Sequence, residues 1–91
     1  MTSLAEAVAL AETELSHVSL EEIQASTAVT WAARAIVAYR RYVDYGIGKW
    51  LLMAAEYHHE ALEHAATAPP GVLEALRVPL SNAARAAGVE K

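Results

Sequence analysis

The fold depends first on residues 38–53, which have the sequence AYRRYVDYGIGKWLLM. Gly46 and Gly48 interrupt a chain that is otherwise rich in helix-forming residues, and each glycine costs about 1 kcal/mol in a helix interior. We therefore predict a tight turn between two antiparallel helices, Ser19–Tyr45 and Lys49–Ala66. The alternative is a kink in one bent rod, which would be about 70 Å long at 1.5 Å per residue.

The segment before this hairpin carries helix-start signals of its own. Ser3 is followed three residues later by Glu6, and Ser19 is followed in the same way by Glu22. This is the spacing of a capping box, in which the two side chains satisfy free backbone N–H groups at a helix start. The first box predicts an N-terminal helix over Ser3–His17 that packs against the hairpin.

The segment after the hairpin predicts only a short helical tail. Pro69, Pro70 and Gly71 stop the preceding helix, and a short helix is expected over Val72–Arg77. Pro79 is then placed to begin another turn, and Gly88 is a plausible end point. The predicted class is all-α: a small helical bundle on a long antiparallel hairpin, with one domain over residues 1–91.

Composition excludes several classes of protein. Hydrophobic residues make up 55% and charged residues 20% of the chain, which is not typical of a disordered segment. The chain contains no cysteine, which excludes disulfide scaffolds, zinc–thiolate sites and thiol nucleophiles. The chain also lacks a glycine-rich phosphate loop and a nucleophile elbow, so we expect no enzymatic activity.

The charge pattern bears on partners and location. The net charge of −4 argues against a nucleic-acid partner. Residues 1–10 contain no lysine or arginine, which is not typical of a secretory signal, and no uncharged apolar stretch of about 20 residues occurs. We therefore expect no membrane association and a cytoplasmic location. A cationic cluster could contact an anionic partner, although its footprint is small: Arg34, Arg40, Arg41 and Lys49.

Large apolar side chains are scarce, which bears on assembly. The chain has 21 alanines and no phenylalanine, so either helices approach closely through alanine faces or a second subunit completes the core. The predicted helix Lys49–Ala66 is the third along the chain, and its start is apolar on all sides, which is typical of a helix buried on every side. We predict a homodimer or higher oligomer with interface residues Trp50, Leu51, Leu52 and Met53. The alternative is that the N-terminal helix and the C-terminal tail cover this segment.

The second half of the same helix is the one stretch rich in metal-capable side chains. Five of them share an arc of about 140° at 100° per residue: Glu56, His59, Glu60, Glu63 and His64. Glu56 and His59 form the Glu-x-x-His pair used by di-iron and di-manganese bundles. In length and in this motif the chain resembles the encapsulated-ferritin type of half-ferritin, whose hairpins dimerise to complete a metal site. That resemblance implies a divalent metal, iron or manganese, as the alternative cofactor.

The opposing helix argues for the simpler interpretation. In a hairpin that turns near Ile47, the stretch Ala35–Ala38 lies opposite the Glu-x-x-His pair and offers no carboxylate. A metal site would therefore need a second copy of the chain. The ordinary explanation is a solvated face with no metal, and the same register predicts a salt bridge between Arg34 and Glu60.

His58 belongs to a different face from the other histidines. It shares the apolar face of the third helix with Leu51 and Leu62. A histidine in that position is expected to be a core residue bonded to a carbonyl or hydroxyl group. The alternative is a pH-sensitive contact at a subunit interface.

Two functional hypotheses follow from these patterns. The first is a non-enzymatic helical protein that acts through homo-oligomerisation and protein–protein interaction, with no cofactor. The alternative is a metal-binding bundle of the ferritin-like, di-iron type, completed by dimerisation. A small regulatory component, of the kind found in toxin–antitoxin systems, is also compatible with the sequence.

Overall fold

The computed structural model describes residues 2–89, and these residues form helices and no strand. The all-α prediction is therefore confirmed. Five α-helices and one turn of 3₁₀ helix follow one another within this range: α1 (Leu4–Ser16), α2 (Leu20–Ala25), α3 (Thr27–Tyr45), α4 (Gly48–Glu63), the 3₁₀ turn (Ala65–Thr67) and α5 (Val72–Ala86).

The two predicted helix starts are confirmed. Ser3 caps α1 by accepting a hydrogen bond from the backbone N–H of Glu6 at 3.2 Å. Ser19 caps α2 with a full capping box, because the backbone N–H of Ser19 also donates to the side chain of Glu22 at 3.1 Å. These caps satisfy backbone donors that would otherwise lack partners at the start of each helix.

The predicted helix Ser19–Tyr45 is wrong as one element, because the chain breaks at Ser26. Ser26 adopts an extended conformation (φ −122°, ψ 120°), and its hydroxyl accepts a hydrogen bond from the backbone N–H of Val29 at 3.3 Å. The hydroxyl of Thr67, from the 3₁₀ turn, accepts a second one from the N–H of Ala28 at 3.1 Å. Ser26 is thus the N-cap of α3 and ends α2, because serine hydroxyls compete with the helix for backbone groups.

Replacing Ser26 with alanine is expected to lower the free energy of unfolding by about 1–2 kcal/mol, the upper range for N-cap loss. The reason is burial: Ser26 is 1% exposed, so water cannot replace the lost acceptor. Urea denaturation followed by circular dichroism measures the change. Ser16→Ala, on an exposed residue, is the control and should stay within about 0.5 kcal/mol of the wild type. Equal stability of both variants would contradict the proposed cap.

The glycine turn joins α3 and α4 as the predicted antiparallel hairpin. Gly46 takes the left-handed conformation (φ 69°), which L-residues with a Cβ adopt at a cost, and its N–H donates to the carbonyl of Tyr42 at 2.8 Å. Packing between α3 and α4 is the most extensive helix–helix contact in the described chain. The bent-rod alternative is therefore wrong.

The C-terminal prediction is wrong in length. Instead of a short tail, α5 is a 15-residue helix that continues through Pro79. An interior proline costs about 3 kcal/mol because it removes a hydrogen bond and crowds the preceding turn. Packing outweighs this cost, since α5 buries one face against α1 and α3: Leu73, Leu76, Pro79, Leu80, Ala83 and Ala84. The predicted end at Gly88 is confirmed, with the Val89 N–H donating to the Ala84 carbonyl at 3.0 Å.

The core is built by close approach of alanine faces around α3. Among residues 2–89, ten of the seventeen buried apolar residues are alanines. The helix α3 contacts α1, α2, α4, α5 and the 3₁₀ turn, whereas α4 packs mainly against α3. As a result, α4 lies at the edge of the bundle, and one side of the α3–α4 hairpin is left uncovered by α1 and α5.

Candidate functional site

The uncovered side of the hairpin forms a groove of about 450 Å³ between α2, α3 and α4. On α3 the lining follows one helical stripe, with Thr30, Arg34, Val37 and Arg41 spaced four, three and four residues apart. On α4 a second stripe runs antiparallel to the first. We call this lining the groove surface, and it consists of Ile23, Thr30, Ala33, Arg34, Val37, Ala38, Arg41, Trp50, Met53 and Tyr57.

The groove surface is cationic although the chain is acidic overall. Its lining includes two arginines and no carboxylate, in a chain of net charge −4. The guanidinium of Arg34 lies 5.0 Å from the ring centroid of Trp31, and that of Arg41 lies 4.7 Å from that of Trp50. The ammonium of Lys49 lies 5.4 Å from the same Trp50 ring. These cation–π contacts orient three positive charges at the groove without neutralising them.

Arg40, predicted as part of the same cationic cluster, is directed elsewhere. It makes a two-point contact with the carboxylate of Glu12 on α1, at 3.1 and 2.6 Å, and lies 3.7 Å from Asp44. The hydrogen bond with Glu12 raises the pKa of Arg40 above its ordinary value, because the carboxylate stabilises the charged guanidinium. Within residues 2–89 no ion pair involves Arg34, Arg41, Lys49 or Arg85. Arg34 and Arg41 line the groove surface and Lys49 lies beside its Trp50, whereas Arg85 is on α5.

The four predicted interface residues lie on different sides of α4. Trp50 and Met53 line the groove surface, and Leu51 is half-buried against the core. Leu52 is 70% exposed. The start of α4 is therefore not enclosed within one chain, and the contact of these residues with a second subunit stays a prediction.

The Glu/His run forms two side-chain pairs on α4, and the two members of each pair are four residues apart. His59 lies 3.3 Å from Glu63, and His64 lies 3.6 Å from Glu60; Glu56 is exposed. Within residues 2–89 no three histidine or carboxylate side chains lie close enough together to hold a metal ion. A metal site at these residues would need ligands from a second copy, as the sequence already indicated.

The predicted salt bridge between Arg34 and Glu60 is wrong for the single chain. Glu60 pairs with His64 one turn further along α4, and Arg34 stacks on Trp31. The helical spacing decides both contacts, because residues three and four apart on one helix are adjacent in space. The carboxylate of Glu60 remains 42% exposed on its side chain.

His58 occupies the apolar position that the sequence predicted. It is 7% exposed and lies beside Tyr39, Leu62 and Ala84 along a small cavity of about 190 Å³ between α3, α4 and α5. The residue is thus part of the packing within one chain.

Sequence reasoning missed that arginine and tryptophan side chains combine into one surface. A local signal was present for Trp31 and Arg34, which are three residues apart on one helix. The contact of Arg41 with Trp50 crosses the hairpin, and it depends on the register of α3 against α4. The ring of Trp31 also crosses the hairpin and lies 5.5 Å from that of Tyr57.

No protein-family model, curated protein or solved structure matches this chain. In the part of the chain that the structure describes, no helix has the length and apolarity needed to cross a membrane.

Proposed function

We propose that this protein is a non-enzymatic helical protein that acts by associating with a second copy of itself and by contact with a protein partner, and that the groove surface is where copies meet. The observation that carries the proposal is the chemistry of the groove surface. Tryptophan, tyrosine, methionine and arginine are enriched at protein interfaces, and buried aromatic and arginine side chains contribute much of the binding energy there.

The position of the groove supports the same proposal. It lies between two antiparallel helices, which is the shape that accepts further helices packed lengthwise. Val37 is 47% exposed on the α3 side, and Trp50, Met53 and Tyr57 are only half-buried on the α4 side. Docking a helical hairpin there would continue the bundle and remove apolar surface from water.

Nucleic acid is a poorer occupant than protein. The ring of Trp50 is already in contact with Arg41 and Lys49, and Trp31 with Arg34 and Tyr57, so neither ring offers an open platform on which a base can stack. Three cations beside apolar side chains also supply little phosphate neutralisation.

Replacing Val37 with glutamate tests the proposal. Light scattering of the wild-type chain at micromolar concentration should give twice the mass of the 9.8 kDa monomer. Val37→Glu should weaken association by about tenfold or more, because docking would remove water from a charged side chain where the wild type buries an apolar one, even with Arg34 and Arg41 one turn away. The position is already partly exposed, so the variant should still fold, which circular dichroism checks.

Val78→Glu is the matched control. Val78 is 59% exposed on α5, outside the groove surface, and its replacement should leave the measured mass unchanged. A monomeric wild-type chain, or equal masses for the wild type and Val37→Glu, would overturn the groove surface as the site of self-association.

A further inference from the structure

We infer that the second copy docks with its α4 over α3, so that Arg34 of each copy meets Glu60 of the other. This inference rests on the proposed self-association and deepens it, because it assigns the register and names a charged residue that each copy contributes to the other's site. The two cations on the α3 side of the groove surface, Arg34 and Arg41, have no carboxylate partner within the described chain.

The complementary charges lie on the other helix of the same hairpin. Glu60 continues the α4 stripe of Met53 and Tyr57, since the three are spaced four and three residues apart. Glu56 and Glu60 also border a depression next to the groove that shares Tyr57 with it. The uncovered side of the hairpin is thus cationic on α3 and carries carboxylates along the distal half of α4.

Contacts across the hairpin define which residues are level with one another. Arg41 lies against Trp50, so a position seven residues back on α3 is level with one seven residues forward on antiparallel α4. Trp31 lies against the same Tyr57, so the two contacts together place Arg34 within about one helical turn of Tyr57, which lies between Glu56 and Glu60. In a symmetric dimer, each residue of the second copy lies at the same height along the helices as in the first copy if the two-fold axis runs parallel to the helices.

Two-fold symmetry allows two ways of placing one hairpin face on another with the helices of the two copies aligned. An axis across the helices puts α3 on α3 and brings Arg34 and Arg41 of one copy against the same residues of the other. An axis along the helices puts α3 on α4 and preserves the levels, so each Arg34 lies against the carboxylate of the other copy's Glu60. Like charges in contact are strongly disfavoured, and an arginine that loses water needs an acceptor, so charge selects the second arrangement.

Charge reversal in separate chains tests this pairing. Arg34→Glu and Glu60→Arg should each weaken self-association about tenfold or more, because the symmetric dimer then contains two like-charged contacts. A 1:1 mixture of the two variants should associate to within about threefold of the wild type. In the mixed dimer both contacts again join an arginine to a glutamate, whereas a pair within one chain would not be restored by mixing.

Light scattering and sedimentation measure the association of each variant and of the mixture. Arg85→Glu, at an exposed position on α5, is the control and should associate as the wild type does. Restoration in the mixture alone supports the pairing. A dimer that is lost in Val37→Glu but unaffected by either charge reversal overturns the pairing and leaves the proposed function standing. A wild-type chain that stays monomeric at 100 µM overturns both the pairing and the groove surface as the site of self-association.

Discussion

Replacing Leu76 with alanine is expected to lower the free energy of unfolding by about 2–5 kcal/mol, the range for a leucine deleted from a packed core. Leu76 is 0% exposed and lies in α5, which packs against α1 and α3. Domains of this size have about 5–15 kcal/mol of stability in total, so the variant would lose a large part of it. The melting temperature should fall by roughly 10–30 °C.

Leu10→Ala is the control for this substitution. Leu10 is 55% exposed on α1, and its replacement should change the free energy of unfolding by about 0.5 kcal/mol or less. Thermal and urea denaturation of the three chains measure both values. If Leu76→Ala were as stable as Leu10→Ala, burial of Leu76 against α1 and α3 would not contribute to the stability of the fold.

Enlarging Ala54 to leucine is expected to lower the free energy of unfolding by about 1–3 kcal/mol, because an over-packed core forces strained rotamers or backbone shifts. Ala54 is 0% exposed on α4, whose main packing partner is α3. The added carbon atoms can be accommodated only if the two helices move apart. Since the groove surface spans these helices, the same variant should also associate more weakly than the wild type.

Urea denaturation measures the stability of Ala54→Leu, and the fluorescence of Trp31 and Trp50 reports the separation of the two helices. Ala9→Leu, on an exposed position of α1, is the matched control and should behave as the wild type. Wild-type stability and unchanged fluorescence for Ala54→Leu would show that α3 and α4 do not depend on a small residue at this position.

Patterns that act over a few residues were readable in the sequence. The serine–glutamate spacing at Ser3 and Ser19 predicted two helix starts, and the glycines at 46 and 48 predicted the turn between α3 and α4. Each depends on backbone groups within one helical turn, where the chemistry of one side chain decides the conformation. The all-α class and the hairpin followed from such local signals.

The break at Ser26 shows where local patterns are ambiguous. A serine followed by a threonine is tolerated within a helix and also favoured at an N-cap, so neighbouring residues leave the choice open. The hydroxyl of Thr67, 39 residues from the N–H of Ala28 that it binds, adds a partner that only the folded chain supplies. Helix α5 is similar: its path through Pro79 depends on burial against α1 and α3.

The candidate site divides in the same way. Sequence alone indicated that Trp50 and Met53 lie on an unusually apolar helix, that Arg34 and Arg41 are among the few cations, and that Glu60 belongs to a polar run, because each statement concerns one helix and its periodicity. Three other features depend on how α3 packs against its neighbours, so only the tertiary structure shows them. They are the contact of Arg41 with Trp50, the pairing of Arg40 with Glu12 and the uncovered side of the hairpin. Helix propensity acts within one turn of the chain, whereas a surface is formed by residues far apart in sequence, and their meeting depends on how the helices pack.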